Sequence, residues 1–485
     1  MSTIDSIIAK RDEQGTKRAL ILAGGGVRLA YQAGVLQALQ EARLQFTHVD
    51  GTSGGIFNTG MLASGLRPEE ICECWRTLKV KYFMSGRPVK SYLKPLRMMA
   101  FGDADGIREK VFPALGIDLK KIRSNREIVA TFNVCNFSDK SVESIPHDQV
   151  TEDHLIAGVS LPIFMPAIKI NGDWYTDAVW IKDAHLMEAV KRGAEEIWLV
   201  WAIGNHSEYL PGFFNQYVHM IEMSANGGLL EEYAQINSLN QRIINGDSPY
   251  GQKEPIKLHV IKPEYPLPLD PDLFFNKIDT STLINMGYED TKRYLDKMQK
   301  EGMAFDGAST KMQNPGVTLN FRQHYTGKLN FGKEKSFISY HPAFTLHQWD
   351  NKLALSHWAS IYIEALGREI STKNNMARVV RKQKTTSILI TSAFQHANQE
   401  YSLKAEIKLG TRFDWLVGLE FKRIKLQITT VEKGEKVEVL EGYLTQSIGH
   451  RFKYLLGANL GNFYGPGWKL KAKNNMISKL YRHEI

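Results

Sequence analysis

The order of apolar and polar residues divides this chain into two textures. Up to about residue 300, short apolar runs alternate with segments whose apolar positions recur at helical spacing. The runs predict strands at Arg18–Ala23, Phe46–Asp50, Glu127–Asn133, Ala167–Ile170, Ile197–Ile203 and Lys257–Ile261. Helices are predicted between them, at Gly54–Ala63, Pro68–Leu78, Gly106–Leu115, Ala184–Arg192 and Phe213–Asn245. Such alternation predicts an α/β fold of three layers, αβα, with a mostly parallel central sheet. Beyond residue 316 the texture changes to strand-like runs, at Val317–Phe321, Ser336–Tyr340, Ser387–Ile390 and Lys425–Thr429, with a hairpin turn in Val431–Val437. This predicts an antiparallel, β-rich second domain. The expected organisation is an extension at 1–17, an α/β domain at 18–300, a linker at 301–316 rich in glycine and proline, and a β-rich accessory domain at 317–485.

Two glycine loops fall at the carboxyl ends of predicted strands, where reactive groups gather in such sheets. The first is Gly24-Gly25-Gly26, followed by Val27-Arg28 and a helical pattern with Leu29, Ala33, Leu36 and Leu39. Successive backbone N–H groups in a strand–glycine–helix turn favour negative charge. A dinucleotide fingerprint would need a glycine where Leu29 stands, and a P-loop would need Gly-Lys-Ser/Thr. A phosphate cradle and a purely structural turn remain open. The second loop is Gly51-Thr52-Ser53-Gly54-Gly55, a serine flanked by glycines between strand and helix, as in a nucleophile elbow. A third signal is the hairpin turn Asn171-Gly172, after which Asp177 follows a short strand. A serine nucleophile needs a base within hydrogen-bond reach. Asp177 could serve directly, and the fourteen histidines, among them His48, His147, His154 and His185, leave a Ser–His–Asp arrangement open.

Taken in order, GGG-x-R, GTSGG and an aspartate after a strand, this set resembles the patatin-like phospholipases, acyl hydrolases with a Ser–Asp dyad. The segment Ala157–Pro166, the run Leu267-Pro268-Leu269 and Met286-Gly287-Tyr288 resemble the family as well, so the likeness spans about Arg18 to Lys300. It implies Ser53 as nucleophile and Asp177 as general base. It implies an oxyanion hole from the N–H groups of Gly24, Gly25, Gly26 and Gly54, with Arg28 anchoring the loop or meeting an anionic head group. The implied reaction is hydrolysis of lipid carboxylic esters through an acyl-serine, with no cofactor and no metal. An acyltransferase using the same acyl-enzyme and a degenerate lipid-binding module are the alternatives. The chain departs from the family pattern at Leu29, usually glycine, and at Ala178-Val179, usually Gly-Gly or Gly-Ala.

Composition adds constraints. The 485 residues are 43% hydrophobic, normal for a globular chain, and no apolar run reaches the length of a membrane span. Residues 1–17 lack the apolar core of a secretory signal, so the expected compartment is the cytoplasm, peripheral to the inner membrane face. Cys72, Cys74 and Cys135 provide no disulfide framework, and no second Cys/His pair stands at zinc-ligand spacing. Residues from Glu301 onward carry a net charge of +12, against −3 before it. No nucleic-acid motif accompanies that charge; contact of the basic C-terminal part with an anionic lipid surface, beside the lipid substrate, and a merely basic solvated surface both stay open. Lys90–Phe101, with Tyr92, Leu93, Leu96, Met98, Met99 and Phe101 among Lys90, Lys94 and Arg97, is a candidate lid or interfacial helix, with an ordinary buried helix edge as the alternative.

Overall fold

A computed structural model describes residues 17–478, apart from 84, 87–99, 101, 204–208, 210, 266, 268–277, 314–315, 350–351, 383–384, 398, 411–420, 433–434, 462–470, 472 and 475. The candidate lid and the Leu267–Leu269 run fall wholly or mostly outside the described residues. The chain forms two compact units, one of residues 1–270 with 294–313, the other of 271–293 with 314–485.

The first unit is built on one mixed sheet. Its strands are β1 (Arg18–Leu22), β2 (His48–Thr52), β3 (Val129–Asn136), β4 (Ser141–Pro146), β5 (Ile168–Ile170), β6 (Asp173–Asp177), β7 (Glu196–Val200) and β8 (Lys257–Ile261). The order is β8-β7-β1-β2-β3-β6-β5, with β4 also paired to β3. From β8 to β3 every pairing is parallel; β4 and β6 run antiparallel to β3, and β5 antiparallel to β6. The central strands are buried almost throughout because helices cover the sheet. On one face Ala19 and Ile21 of β1 and Ile197 and Leu199 of β7 pack with Ala189 and Val190 of α5 (Leu186–Lys191) and with Leu229, Tyr233 and Ile236 of α6 (Phe213–Ile244). The other helices named below are α1 (Ala30–Glu41), α2 (Gly55–Ala63), α3 (Pro68–Thr77) and α4 (Glu152–Gly158). The hairpin at Asn171-Gly172 forms as its sequence predicts, with φ of 51° and 106° at the two loop residues.

Residues 302–313, most of the segment read as a polar linker, pack onto the first unit. Gly302, at φ 77°, brings the chain against β8, where a Cβ would stand 2.6 Å from the Leu258 carbonyl oxygen. The Met303 N–H then donates to that carbonyl at 2.7 Å, and Phe305 meets Tyr233 edge-on. Glycine here serves close backbone approach.

The second unit is an antiparallel sheet that nearly closes on itself. Its strands are β9 (Thr318–Arg322), β10 (Tyr325–Phe331), β11 (Glu334–Trp349), β12 (Lys352–Ile363), β13 (Arg368–Ser371), β14 (Lys373–Lys382), β15 (Thr385–His396), β16 (Gln399–Leu409), β17 (Arg423–Glu432), β18 (Glu435–Thr445) and β19 (Asn459–Gly461), with β9 paired to β11 and β19. The order β13-β12-β11-β10-β18-β17-β16-β15-β14 places consecutive strands at its two ends, with only Thr372 between them. Strand β16 shows how the sequence specifies it: Tyr401, Leu403, Ala405, Ile407 and Leu409 are buried, while Glu400, Lys404, Glu406 and Lys408 alternate with them on the opposite face. The free edges are engaged by α7 (Thr280–Lys297): Ser371 of β13 donates to Asn285 at 2.7 Å, and the Asn375 side-chain amide of β14 donates to Glu289 at 3.1 Å. Edges held in this way are protected from further strand pairing.

A buried acid lies on a central strand of the first sheet. Asp50 of β2 is fully buried and accepts hydrogen bonds from Thr131 at 2.5 Å and Asn133 at 2.6 Å, both on β3. Burial pushes its carboxyl up to about 8, against the opposing pull of those two bonds. The folded protein therefore keeps a proton that the unfolded chain releases above about pH 4, and the associated stability is lost as pH rises toward about 8. The Asp50→Asn protein, which keeps a neutral side chain at every pH, is expected to show a shallower decline of urea midpoint between about pH 4 and 8. An unchanged slope would show that Asp50 is already ionised in the folded state.

Candidate active site

The geometry of the site begins with the two edges of β3. Strand β4 occupies one edge along Thr131–Asn136. Strands β2 and β6 therefore share the other. Strand β2 runs parallel to β3 and ends with Thr52 opposite Asn133; β6 runs antiparallel and ends with Asp177 opposite Val134. The two strands meet head-on, and the residue following Thr52 is Ser53. Its Oγ donates to Asp177 Oδ2 at 2.7 Å, and both side chains are buried. The other oxygen, Asp177 Oδ1, accepts the Val179 N–H at 2.9 Å.

Ser53 has φ 51°, a left-handed conformation uncommon outside glycine. Such a backbone persists only when its surroundings fix it. Here the fixing is steric. A Cβ on Gly55 would stand 2.0 Å from the Leu22 carbonyl oxygen of β1, and one on Gly54 2.2 Å from Leu29 Cδ1. The elbow thus lies directly against the end of β1 and the glycine loop. That loop is buttressed in turn: the Trp75 indole of α3 donates to Asn58 of α2, Asn58 donates to Gln32 of α1 and to the Leu29 carbonyl, and Gln32 donates to the Ala23 carbonyl. None of these polar contacts announces itself in the sequence, because the partners come from three helices and from the loop after β1.

The predicted loop residues occupy distinct positions. Arg28 Nε donates to the Gly25 carbonyl at 2.8 Å. Gly26 has φ 61°, in the left-handed region that favours glycine. The amides of Gly25, Gly26 and Gly54 have no hydrogen-bond acceptor among the described residues. The Gly24 N–H, expected from the sequence to face an oxyanion, donates instead to Asp183 Oδ2 at 2.9 Å. Gly24 is thus corrected from an open donor to a loop anchor. The reason is that Asp183, six residues past Asp177, turns back under the loop. Nothing in its local pattern signals this.

Burial governs the charges. Asp177 is pushed up to about 7 by desolvation, with the Val179 N–H and the Ser53 hydroxyl pulling it back. Asp183 is raised well above the ordinary carboxyl range by desolvation first and by the Asp177 charge second. The Tyr217 hydroxyl of α6 is raised by burial and by Asp177, and it donates to the Pro162 carbonyl at 2.9 Å. Ser53 has no histidine partner among the described residues. His185 contacts Ser144 at 2.8 Å and His48 contacts Thr131 at 2.8 Å, and burial lowers both rings to about 3. The two departures from the resembled pattern are accommodated. Leu29 fills the space beside Gly54, and Ala178 lies in a short 3-10 turn without positive φ, a conformation a Cβ tolerates.

Residues 20–189 match the family model for patatin-like phospholipases. A solved structure, VipD from Legionella pneumophila, is similar at 13% identity over 60% of this chain and 70% of its own, with a TM-score of 0.34. No curated protein matches the chain.

The steric account of the elbow distinguishes two glycines of the same region. Gly55→Ala drives a Cβ into backbone and is expected to cost about 1–3 kcal/mol in thermal or urea unfolding. Gly60→Ala, whose Cβ would meet Ile117 carbons at 3.4–3.6 Å, is expected to be neutral or to stabilise by up to about 1 kcal/mol, as alanine does in a helix. Equal effects at the two sites would refute the close packing of the elbow.

Proposed function

We propose that the patatin-like phospholipase domain at residues 20–189 cleaves lipid carboxylic esters through an acyl–Ser53 intermediate, with Asp177 as the general base. Lipid acyl hydrolysis is the class the family match carries; the Ser–Asp mechanism is our reading of the site. The observation that supports it most is the 2.7 Å hydrogen bond between a serine at a positive-φ turn and a buried carboxylate. Open amides at Gly25, Gly26 and Gly54 supply the third requirement, donors for an oxyanion.

The steps follow from these positions. Asp177 takes the proton of Ser53 as Oγ attacks the ester carbonyl carbon. Charge develops on the carbonyl oxygen and is met by the loop amides. The carbon–oxygen bond to the alcohol breaks, and the alcohol leaves with the proton held by Asp177. Water then loses a proton to Asp177 and attacks the acyl carbon. The bond to Oγ breaks, Ser53 recovers its proton, and a fatty acid is released. Burial serves this sequence by raising the basicity of Asp177 toward neutral pH. Arg28 holds the loop through Gly25, and we assign its guanidinium the further role of meeting an anionic head group.

We attribute a second role to charge. The net +12 after Glu301 would draw the protein to anionic lipid surfaces, where its substrate lies. Among the described residues no helix is long and apolar enough to cross a membrane.

The test is fatty-acid release from phospholipid vesicles. Ser53→Ala is expected to abolish release. Asp177→Asn is expected to lower kcat by about 10²–10⁴, the range for loss of a positioned base. Below about pH 7 the base is protonated, so wild-type activity should rise with pH through that value. Full activity of the Asp177→Asn protein would rule out this mechanism.

A further inference from the structure

The site contains a second buried carboxyl that the reaction sequence above does not use. Asp183 is fully buried. Its Oδ2 accepts the Gly24 N–H at 2.9 Å, whereas Oδ1 has no hydrogen-bond partner among the described residues. That oxygen and Ser53 Cβ lie 2.2 Å and 2.8 Å from the point where a Cβ on Gly24 would stand. The unpartnered oxygen is therefore aimed into the space between the glycine loop and the nucleophile.

The two carboxyls are not equivalent. Asp177 receives two hydrogen bonds, one on each oxygen, and both favour its charged form. Asp183 receives one. Two carboxylates in one dry site repel, so the proton they retain resides on the carboxyl with fewer donors. Asp177 at the end of β6 and Arg28 in the glycine loop are the charged groups facing Asp183, the first raising it and the second lowering it. Its neighbours Lys182 and His185 turn instead toward Glu232 of α6, at 2.9 Å and 3.7 Å.

We infer that Asp183 is a positioning residue of this active site that works only while protonated, holding the oxyanion loop through Gly24 as a neutral clamp. The inference rests on the proposed serine mechanism. In the neutral form Oδ2 fixes the loop, and no second negative charge stands beside Asp177. Ionisation places that charge next to the point where the ester oxygen becomes anionic, which raises the energy of the transition state. Asp177 and Asp183 then have opposite requirements, one ionised and one protonated, and activity is confined to the pH interval between them.

The experiment compares pH profiles of kcat/KM for wild type, Asp183→Asn, Asp183→Leu and Ser53→Ala. Asparagine keeps an acceptor for Gly24 and cannot ionise. The wild-type profile is expected to fall on its alkaline side, by about tenfold per pH unit. The Asp183→Asn profile should keep the acid limb and lose the alkaline one. Asp183→Leu, which removes the acceptor, should lose activity at every pH. Thermal unfolding supplies a readout independent of turnover. The stability of wild type relative to Asp183→Asn should decrease as pH rises, because the folded protein holds a proton that the unfolded chain releases. An Asp183→Asn profile with the wild-type alkaline limb, or a relative stability that does not change with pH, would overturn the inference. Activity persisting in Ser53→Ala would instead overturn the serine mechanism on which it rests.

Discussion

The hydrogen bond from Ser53 Oγ to Asp177 Oδ2 joins residues 124 positions apart, and the sheet exists in this form to make it. Two strands arriving from opposite directions on one edge of β3 leave no freedom in where their ends meet. The parallel register of β2 fixes the elbow opposite Asn133, and the antiparallel register of β6 fixes the aspartate opposite Val134. A slip of one residue in either strand would turn these side chains to the other face. Asn133 reinforces the register by donating to both Asp50 and Thr52 of β2.

Burial turns this geometry into chemistry. A carboxylate excluded from water is a stronger base than one on the surface, and neighbouring dipoles act on it with less screening. The same exclusion would be destabilising for an acid without donors, which is why each oxygen of Asp177 has one. The helices around the loop continue the logic. Trp75, Asn58 and Gln32 form a chain of donors ending on the Ala23 carbonyl, so the last backbone group before the glycines is fixed from behind. Preorganised donors need not rearrange as charge develops, and this is the usual source of their effect.

Much of this was readable along the chain. Apolar runs bounded by glycine located β1 and β2, and Asn171-Gly172 located the hairpin; the family resemblance singles out Ser53 and Asp177, and the structure places them in hydrogen-bond contact. The strand-like runs after residue 316 also form a β unit. What stayed hidden depends on contacts distant in sequence. The head-on arrangement of β2 and β6 requires knowing that β4 fills the far edge of β3. Asp183 and Tyr217 look like ordinary turn and helix residues until the fold brings them beside Asp177. The packed course of 302–313 is invisible because Gly302 reads equally as a flexible joint and as a site of close approach. Asp50, in the strand that leads to the elbow, is likewise explained only by its partners on β3, Thr131 and Asn133.

A covalent probe reports on the central meeting directly. Incubation with a fluorophosphonate, followed by peptide mapping in a mass spectrometer, reads which hydroxyl is activated. The account requires a single adduct on the peptide bearing Ser53, formed much more slowly when Asp177 is replaced by asparagine. An adduct on a different serine, or an Asp177→Asn protein that reacts as fast as wild type, would contradict it.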